Sequence, residues 1–182
     1  MVEIAVPELE EMAYAHTVTF GAECLTTFDL HIKHKNVKLN AESMATIGLF
    51  RSFDASDYVV ALRMRRRAMH FFMEIFKRVD VIVTPTTGIT APLISRGALK
   101  HGESNLSVTG YLMRFVVAAN FLGLPAISIP VGYDKRNLPI GLQFIGRPWG
   151  EASLLRLAHA VEELNKMKKR PEMYFDVLSN ML

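Results

Sequence analysis

Leu122-Gly123-Leu124-Pro125-Ala126-Ile127-Ser128-Ile129-Pro130-Val131-Gly132 contains a change of backbone period. Apolar residues up to Leu122 recur at helical spacing, and Gly123 is the residue type that closes helices in the left-handed conformation. After Pro125 the β-branched residues alternate, which predicts a strand over Ala126–Val131. Asp134-Lys135-Arg136-Asn137 supplies turn chemistry, and Ile140–Ile145 reads as a returning strand. A helix followed by a hairpin therefore anchors the reading.

Outward from this point the chain alternates helices and strands. Toward the N-terminus, Leu106–Leu122 is expected as one buried helix, preceded by a Pro/Gly/Thr-rich connection over 84–104. Val79-Asp80-Val81-Ile82-Val83, closed by Pro85, is expected as a buried strand. Asp54-Ala55-Ser56-Asp57 offers N-cap candidates for a helix whose apolar stripe is Leu62, Met69, Phe72, Met73 and Phe76. Helices are also expected over Leu9–Phe28 and Ala41–Phe53, with a loop over Asp29–Asn40 and a short strand over Val2–Val6. Toward the C-terminus, Glu151 to Lys168 is amphipathic, with Leu154, Ala158, Val161 and Leu164 on one side. The expected class is α/β, a mixed β-sheet flanked by helices, with the sheet supplied only in part by this chain.

Composition restricts the function. The chain has 182 residues, half of them hydrophobic (50%) and 21% charged, so it can bury a core and is too apolar for disorder. A net charge of +3 is too small for a nucleic-acid-binding face, and the clusters Arg63, Arg65, Arg66, Arg67 and Lys166, Lys168, Lys169, Arg170 read as solvated faces. The lone Cys24 excludes an intrachain disulfide and fits an intracellular setting. No signal peptide is read at the N-terminus. The uncharged stretch between Arg114 and Asp134 approaches the ~20 residues of a membrane span, but Pro125 and Pro130 interrupt it.

No nucleotide-binding, zinc-binding or nucleophile-elbow motif occurs. The histidines His16, His31, His34, His70, His101 and His159 lack metal-ligand spacing, so neither a metal nor a cofactor is expected. Ser128 sits in a strand with no base nearby in sequence and reads as a buried, hydrogen-bonded serine rather than a nucleophile. Asn120 falls on the same helical stripe as Met113 and is expected to be buried with a structural partner.

Three strings in order carry a family resemblance. They are Val79-Asp80-Val81-Ile82-Val83-Thr84-Pro85-Thr86-Thr87, the stretch Leu122–Gly132, and Leu138-Pro139-Ile140-Gly141-Leu142-Gln143-Phe144-Ile145-Gly146. In this order and spacing the chain resembles the late part of the amidase-signature family. Phe50–Tyr58, Leu112-Met113-Arg114-Phe115, Gly146-Arg147-Pro148-Trp149 and Tyr174-Phe175-Asp176-Val177-Leu178 are similar to the plant fatty acid amide hydrolases within it. The resemblance implies that residues 1–182 are the C-terminal part of a single amidase domain. The Lys–Ser–Ser triad and oxyanion loop of the family would lie upstream, since no Gly-Gly-Ser-Ser-Gly-like segment is found here. No catalytic residue is assigned.

What the resemblance leaves to this chain is an acyl-binding wall, with Leu49 and Phe53 on one helix face and Leu106, Thr109 and Met113 on another. Core packing is the competing reading of both stripes. The implied substrates are N-acylethanolamines or other fatty acid amides. The alternatives are another amidase-signature activity, such as that of an amidotransferase component, or a non-catalytic binding module or truncated product. Self-association or homo-oligomerisation is expected, and peripheral contact with endomembranes stays open.

Overall fold

The computed structural model describes residues 1–33, 39–103 and 105–165. In chain order the elements are α1 (Leu9–Lys33), α2 (Ala41–Phe50), α3 (Ala55–Phe76), β1 (Val81–Pro85), α4 (Ala98–His101), α5 (Leu106–Met113), α6 (Val117–Leu122), β2 (Ala126–Tyr133), β3 (Pro139–Gly146) and α7 (Glu151–Leu164). The α/β class with helices flanking a sheet holds.

The three strands lie in the order β1-β3-β2, and both pairings are antiparallel. Ile82 stands opposite Ile145, Thr84 opposite Gln143, and Ser128 opposite Gln143 on the other side of the central strand. Directly opposed residues share a face, so Ile82, Ile145, Thr84, Gln143 and Ser128 face one way, and Val81, Phe144, Ile127 and Ile129 the other. Each face meets a different layer. Ile82 and Ile145 join Met12 and Ala15 of α1, Ala61, Ala68, Phe72 and Phe76 of α3, and Ala118, Phe121 and Leu122 of α6. On the opposite side Ile129 and Phe144 pack against Leu154 of α7, with Leu157, Ala158 and Val161 around them. Pro85 and Pro130 sit on the outer strands, where a residue without an N–H costs no ladder bond.

Local chemistry sets the helix ends. Asp54 accepts from the backbone N–H groups of Ser56 (2.7 Å) and Asp57 (3.0 Å), and the Asp57 carboxylate accepts from the Asp54 N–H (2.9 Å). This capping box satisfies the otherwise orphaned donors at the start of α3. Gly123 closes α6 at φ 71°, a left-handed conformation that an L side chain resists. The hairpin between β2 and β3 is fixed by Asp134, whose carboxylate accepts from the N–H groups of Arg136 (2.7 Å) and Leu138 (2.9 Å) and from the Thr90 hydroxyl (2.7 Å).

Several sequence expectations are corrected. Residues 2–6 form no strand; Ile4 and Val6 instead pack on the main core. α1 runs on through Lys33 rather than yielding to a loop at Asp29. On α3 the buried face is Ala61, Ala68, Phe72 and Phe76, while Leu62, Met69 and Met73 are exposed. The alanines are seven apart and let α1 approach closely, so the core face follows the small residues. Leu164 of α7 is exposed, although Leu154, Ala158 and Val161 pack as expected. The expected helix over Leu106–Leu122 is two helices, broken at 114–116. His34, the cluster Lys166–Arg170 and the stretch Tyr174–Leu178 lie outside the described residues.

Candidate functional site

The residues expected to form an acyl-binding wall fall on two segments. Leu49 lies in the last turn of α2 and is 52% exposed. Phe53 lies beyond the end of that helix, just before the Asp54 cap, so the two do not share a helix face as expected. The turn that intervenes runs from Phe50 O to Phe53 N–H at 3.3 Å. Phe53 is half-buried, with its ring centroid 6.4 Å from that of Phe50. Phe50 is buried and meets Phe20 of α1 edge-on at 5.7 Å. It fits because Gly21 of α1 has no side chain: a Cβ there would lie 2.7 Å from the Phe50 ring. His16 extends the aromatic series by stacking on Phe20 at 6.0 Å and meeting Phe121 of α6 at 6.2 Å. Burial drives the His16 imidazole below its ordinary pKa, opposed by the Glu23 carboxylate, so its neutral form is favoured.

The second segment is α5. Asn105 caps it by accepting from the Val108 N–H at 3.2 Å. Leu106 is 80% exposed, Thr109 is exposed and Met113 is half-buried; α5 has no buried residue. Within this chain Leu49, Leu106 and Thr109 therefore pack into no core.

Among the described residues no hydrogen bond or ring contact joins Leu49 and Phe53 to the residues of α5 directly. The connection after β1 ties the two segments instead. Glu103 N–H donates to the Glu42 carboxylate of α2 at 2.8 Å, and Gly88 N–H donates to Tyr111 O of α5 at 3.0 Å. A side chain at Gly88 would sit 2.7 Å from that carbonyl, so the close approach requires glycine.

Beside this lies a polar cluster that the sequence did not single out. Ser128 is exposed, not buried as expected, and its hydroxyl pairs with that of Thr86 at 2.5 Å. Thr86 is thus a hydrogen-bonding partner of Ser128, and neither hydroxyl is a base. Gln143, 4% exposed, donates from Nε2 to Thr84 Oγ1 (3.0 Å) and to the carbonyl of Phe115 (2.9 Å). Asn120, expected to be buried, is exposed. Arg63, Arg66, Arg67 and His70 of α3 line a shallow depression of about 490 Å³, which includes none of the wall candidates. Among the described residues no three His, Cys, Asp or Glu side chains group as a metal site, and no helix is long and apolar enough to cross a membrane.

A three-stranded antiparallel sheet held between a helical layer and a single following helix is the arrangement of part of solved amidase structures. A crystal structure titled as an amidase superposes with a TM-score of 0.76 at 18% identity, over 90% of this chain and 37% of that one. A glutamyl-tRNA(Gln) amidotransferase subunit from Thermotoga maritima gives 0.69 at 26% identity, over 91% and 35%. The family model described as Amidase matches residues 8–155, and the chain belongs to the amidase family.

Among relatives, the fatty acid amide hydrolase of Medicago truncatula is 60% identical over 180 residues, which is 98% of this chain and 30% of the relative. That of Arabidopsis thaliana is 56% identical over 180 residues. The matching glutamyl-tRNA(Gln) amidotransferase subunit from Brachyspira hyodysenteriae is 41% identical over 116 residues, or 64% of this chain. The chain spans about 30% of the length of the first two relatives.

Proposed function

We propose that this chain is the C-terminal part of a single amidase domain and forms the acyl-binding wall of an enzyme that hydrolyses fatty acid amides, N-acylethanolamines among them. The observation that carries the reading is the 60% identity to a fatty acid amide hydrolase over nearly the whole chain. The exposed apolar positions are consistent with it. Leu49 and Leu106 face outward from helices that are otherwise tied into the fold, and Met113 adds a flexible side chain suited to a long alkyl tail. A polar substrate such as a charged tRNA end would gain little from such a wall.

In this reading Leu49, Phe53, Leu106, Thr109 and Met113 contact the acyl chain. The Lys–Ser–Ser triad that cleaves the amide belongs to sequence outside the chain. Apolar outward faces of this kind also suit peripheral contact with an endomembrane, from which a lipid amide would enter. The test is a segment exchange, in which this chain replaces the matching stretch of the Medicago truncatula enzyme. The chimera should hydrolyse long-chain N-acylethanolamines with a higher specificity constant than short-chain amides. A chimera active on short amides with no preference for long ones refutes the wall.

A further inference from the structure

Helices α5 and α6 are separated by Arg114-Phe115-Val116, with neither glycine nor proline in the break. A helix that stops without either needs another cause, and an inserted side chain is one. In a continuous helix the Phe115 carbonyl would accept from the Ala119 N–H. Here it accepts from Gln143 Nε2 at 2.9 Å, while the first backbone bond of α6 runs from Asn120 N–H to Val116 O at 3.1 Å. Val116 N–H reaches back to Met113 O at 3.0 Å, a tighter i to i−3 bond that closes α5.

Gln143 is suited to this. It lies on the central strand, nearly fully buried, and its two amide hydrogens have two acceptors, Thr84 Oγ1 and Phe115 O. A carbonyl can only accept, so the amide nitrogen must face Phe115. The consequence is visible on either side of the break. In α6, Val117, Ala118, Ala119, Phe121 and Leu122 are buried, whereas α5 buries nothing.

We propose that Gln143 is a positioning residue for the acyl-binding wall. By taking the Phe115 carbonyl out of the helical ladder it sets the direction of α5, and with it the placement of Leu106, Thr109 and Met113. The helix break stands on the geometry alone; its role in substrate selection rests on the reading of α5 as wall.

Two measurements on the segment-exchange chimera, isotopically labelled at these residues, test the break. In the unaltered chimera the Gln143 side-chain amide hydrogens should exchange with solvent at least tenfold more slowly than those of an exposed glutamine; exchange at the exposed rate overturns the proposal. In Gln143→Met, which keeps the length and removes the donor, ¹³Cα shifts of 114–116 should become helical and the Ala119 amide should gain at least tenfold protection. A persistent break overturns the proposal.

The same chimera tests the role. Gln143→Met should raise KM for a long-chain N-acylethanolamine about tenfold while leaving kcat and the short-chain specificity constant within about twofold. Thr84→Val, which leaves the Phe115 bond, should change neither. A healed helix with unchanged long-chain KM overturns the role of Gln143. Leu106→Ala then separates the two failures. If it shifts long-chain KM, the wall stands without Gln143; if it does not, the wall reading falls too.

Discussion

The hydroxyls of Thr86, one residue past the end of β1, and Ser128, on β2, lie 2.5 Å apart and meet across the central strand over the α-carbon of Gly141. Thr86 N–H also donates to Gly141 O at 2.9 Å. Only a residue without a side chain leaves that passage open, so β1 and β2 are linked through a gap in β3.

Gly141→Ala should close the gap. Its Cβ would fall 2.6 Å from Thr86 Oγ1 and 2.9 Å from Ser128 Oγ. Separating the hydroxyls and shifting an outer strand should cost about 1–3 kcal/mol, read as a lower urea midpoint with an unchanged slope. In the background of Thr86→Ser and Ser128→Ala the penalty should shrink, because one of the two obstacles is gone. An equal penalty in both backgrounds would place the strain elsewhere.

Acid should weaken the fold at two identified carboxylates. Hydrogen bonds from the Ser56 hydroxyl and from the N–H groups of Asp57 and Ser56 hold Asp54 below the ordinary aspartate value. The Leu138 N–H, then the Thr90 hydroxyl, do the same for Asp134. A lowered folded pKa means that the stabilisation is complete above the unfolded value and disappears as pH falls through the folded one. Melting temperature should therefore drop between about pH 5 and about pH 2, and less steeply in Asp54→Asn and Asp134→Asn than in the parent. Parallel curves for parent and variants would assign the acid limb to other groups.

Phe53→Ala should act on long acyl chains only. Losing ring surface from a wall that packs the tail should lower the long-chain specificity constant of the chimera by about ten- to a hundredfold, about 1–3 kcal/mol. A short amide that never reaches the ring should be hydrolysed as before. Met113→Glu should be worse for long chains, because it places an unpaired charge beside the tail. Equal losses on both substrates would mean that these residues only maintain the fold.

The 182-residue chain alone should release no amine from N-acylethanolamines or aryl amides above a heat-killed control, since the proposed triad is outside it. It should also self-associate. Among the described residues β1 and β2 each pair on one side only, and Leu93, Ile94, Leu99 and Leu106 are exposed. Turnover blocked by a fluorophosphonate, or a monodisperse monomer at high concentration in light scattering, would contradict the respective expectation.

What could be read from sequence was local. Asp54, Gly123 and the Asp134–Asn137 turn act on backbone within a few residues, and each appears where its chemistry predicts. The break at 114–116 was hidden because its cause, Gln143, is distant along the chain and enters from the sheet. The face of α3 was misread for a related reason. Large residues suggest a core, but the approach of α1 selects Ala61 and Ala68, and only the partner helix reveals that choice. The wall candidates came from resemblance; their exposure could not have been deduced from helical spacing, which is the same for a core stripe and a ligand stripe. Thr86 and Ser128 were unreadable as a pair until the register put Gly141 between them.

The division of the sheet's two faces has a kinetic corollary. The cluster of Ile129, Phe144 and Leu154 is built from β2, β3 and α7, which follow one another without interruption, so only short loops need to close to form it. On the other face β1 follows α3 directly, but the cluster also needs α1 and α3 brought against α6 and Ile145 of β3, far along the chain. The hairpin with α7 should therefore nucleate early and open last, protecting its amides from deuterium after those of α1 have exchanged. During synthesis on the ribosome α1, α3 and β1 would emerge first and wait for the central strand that joins the two faces.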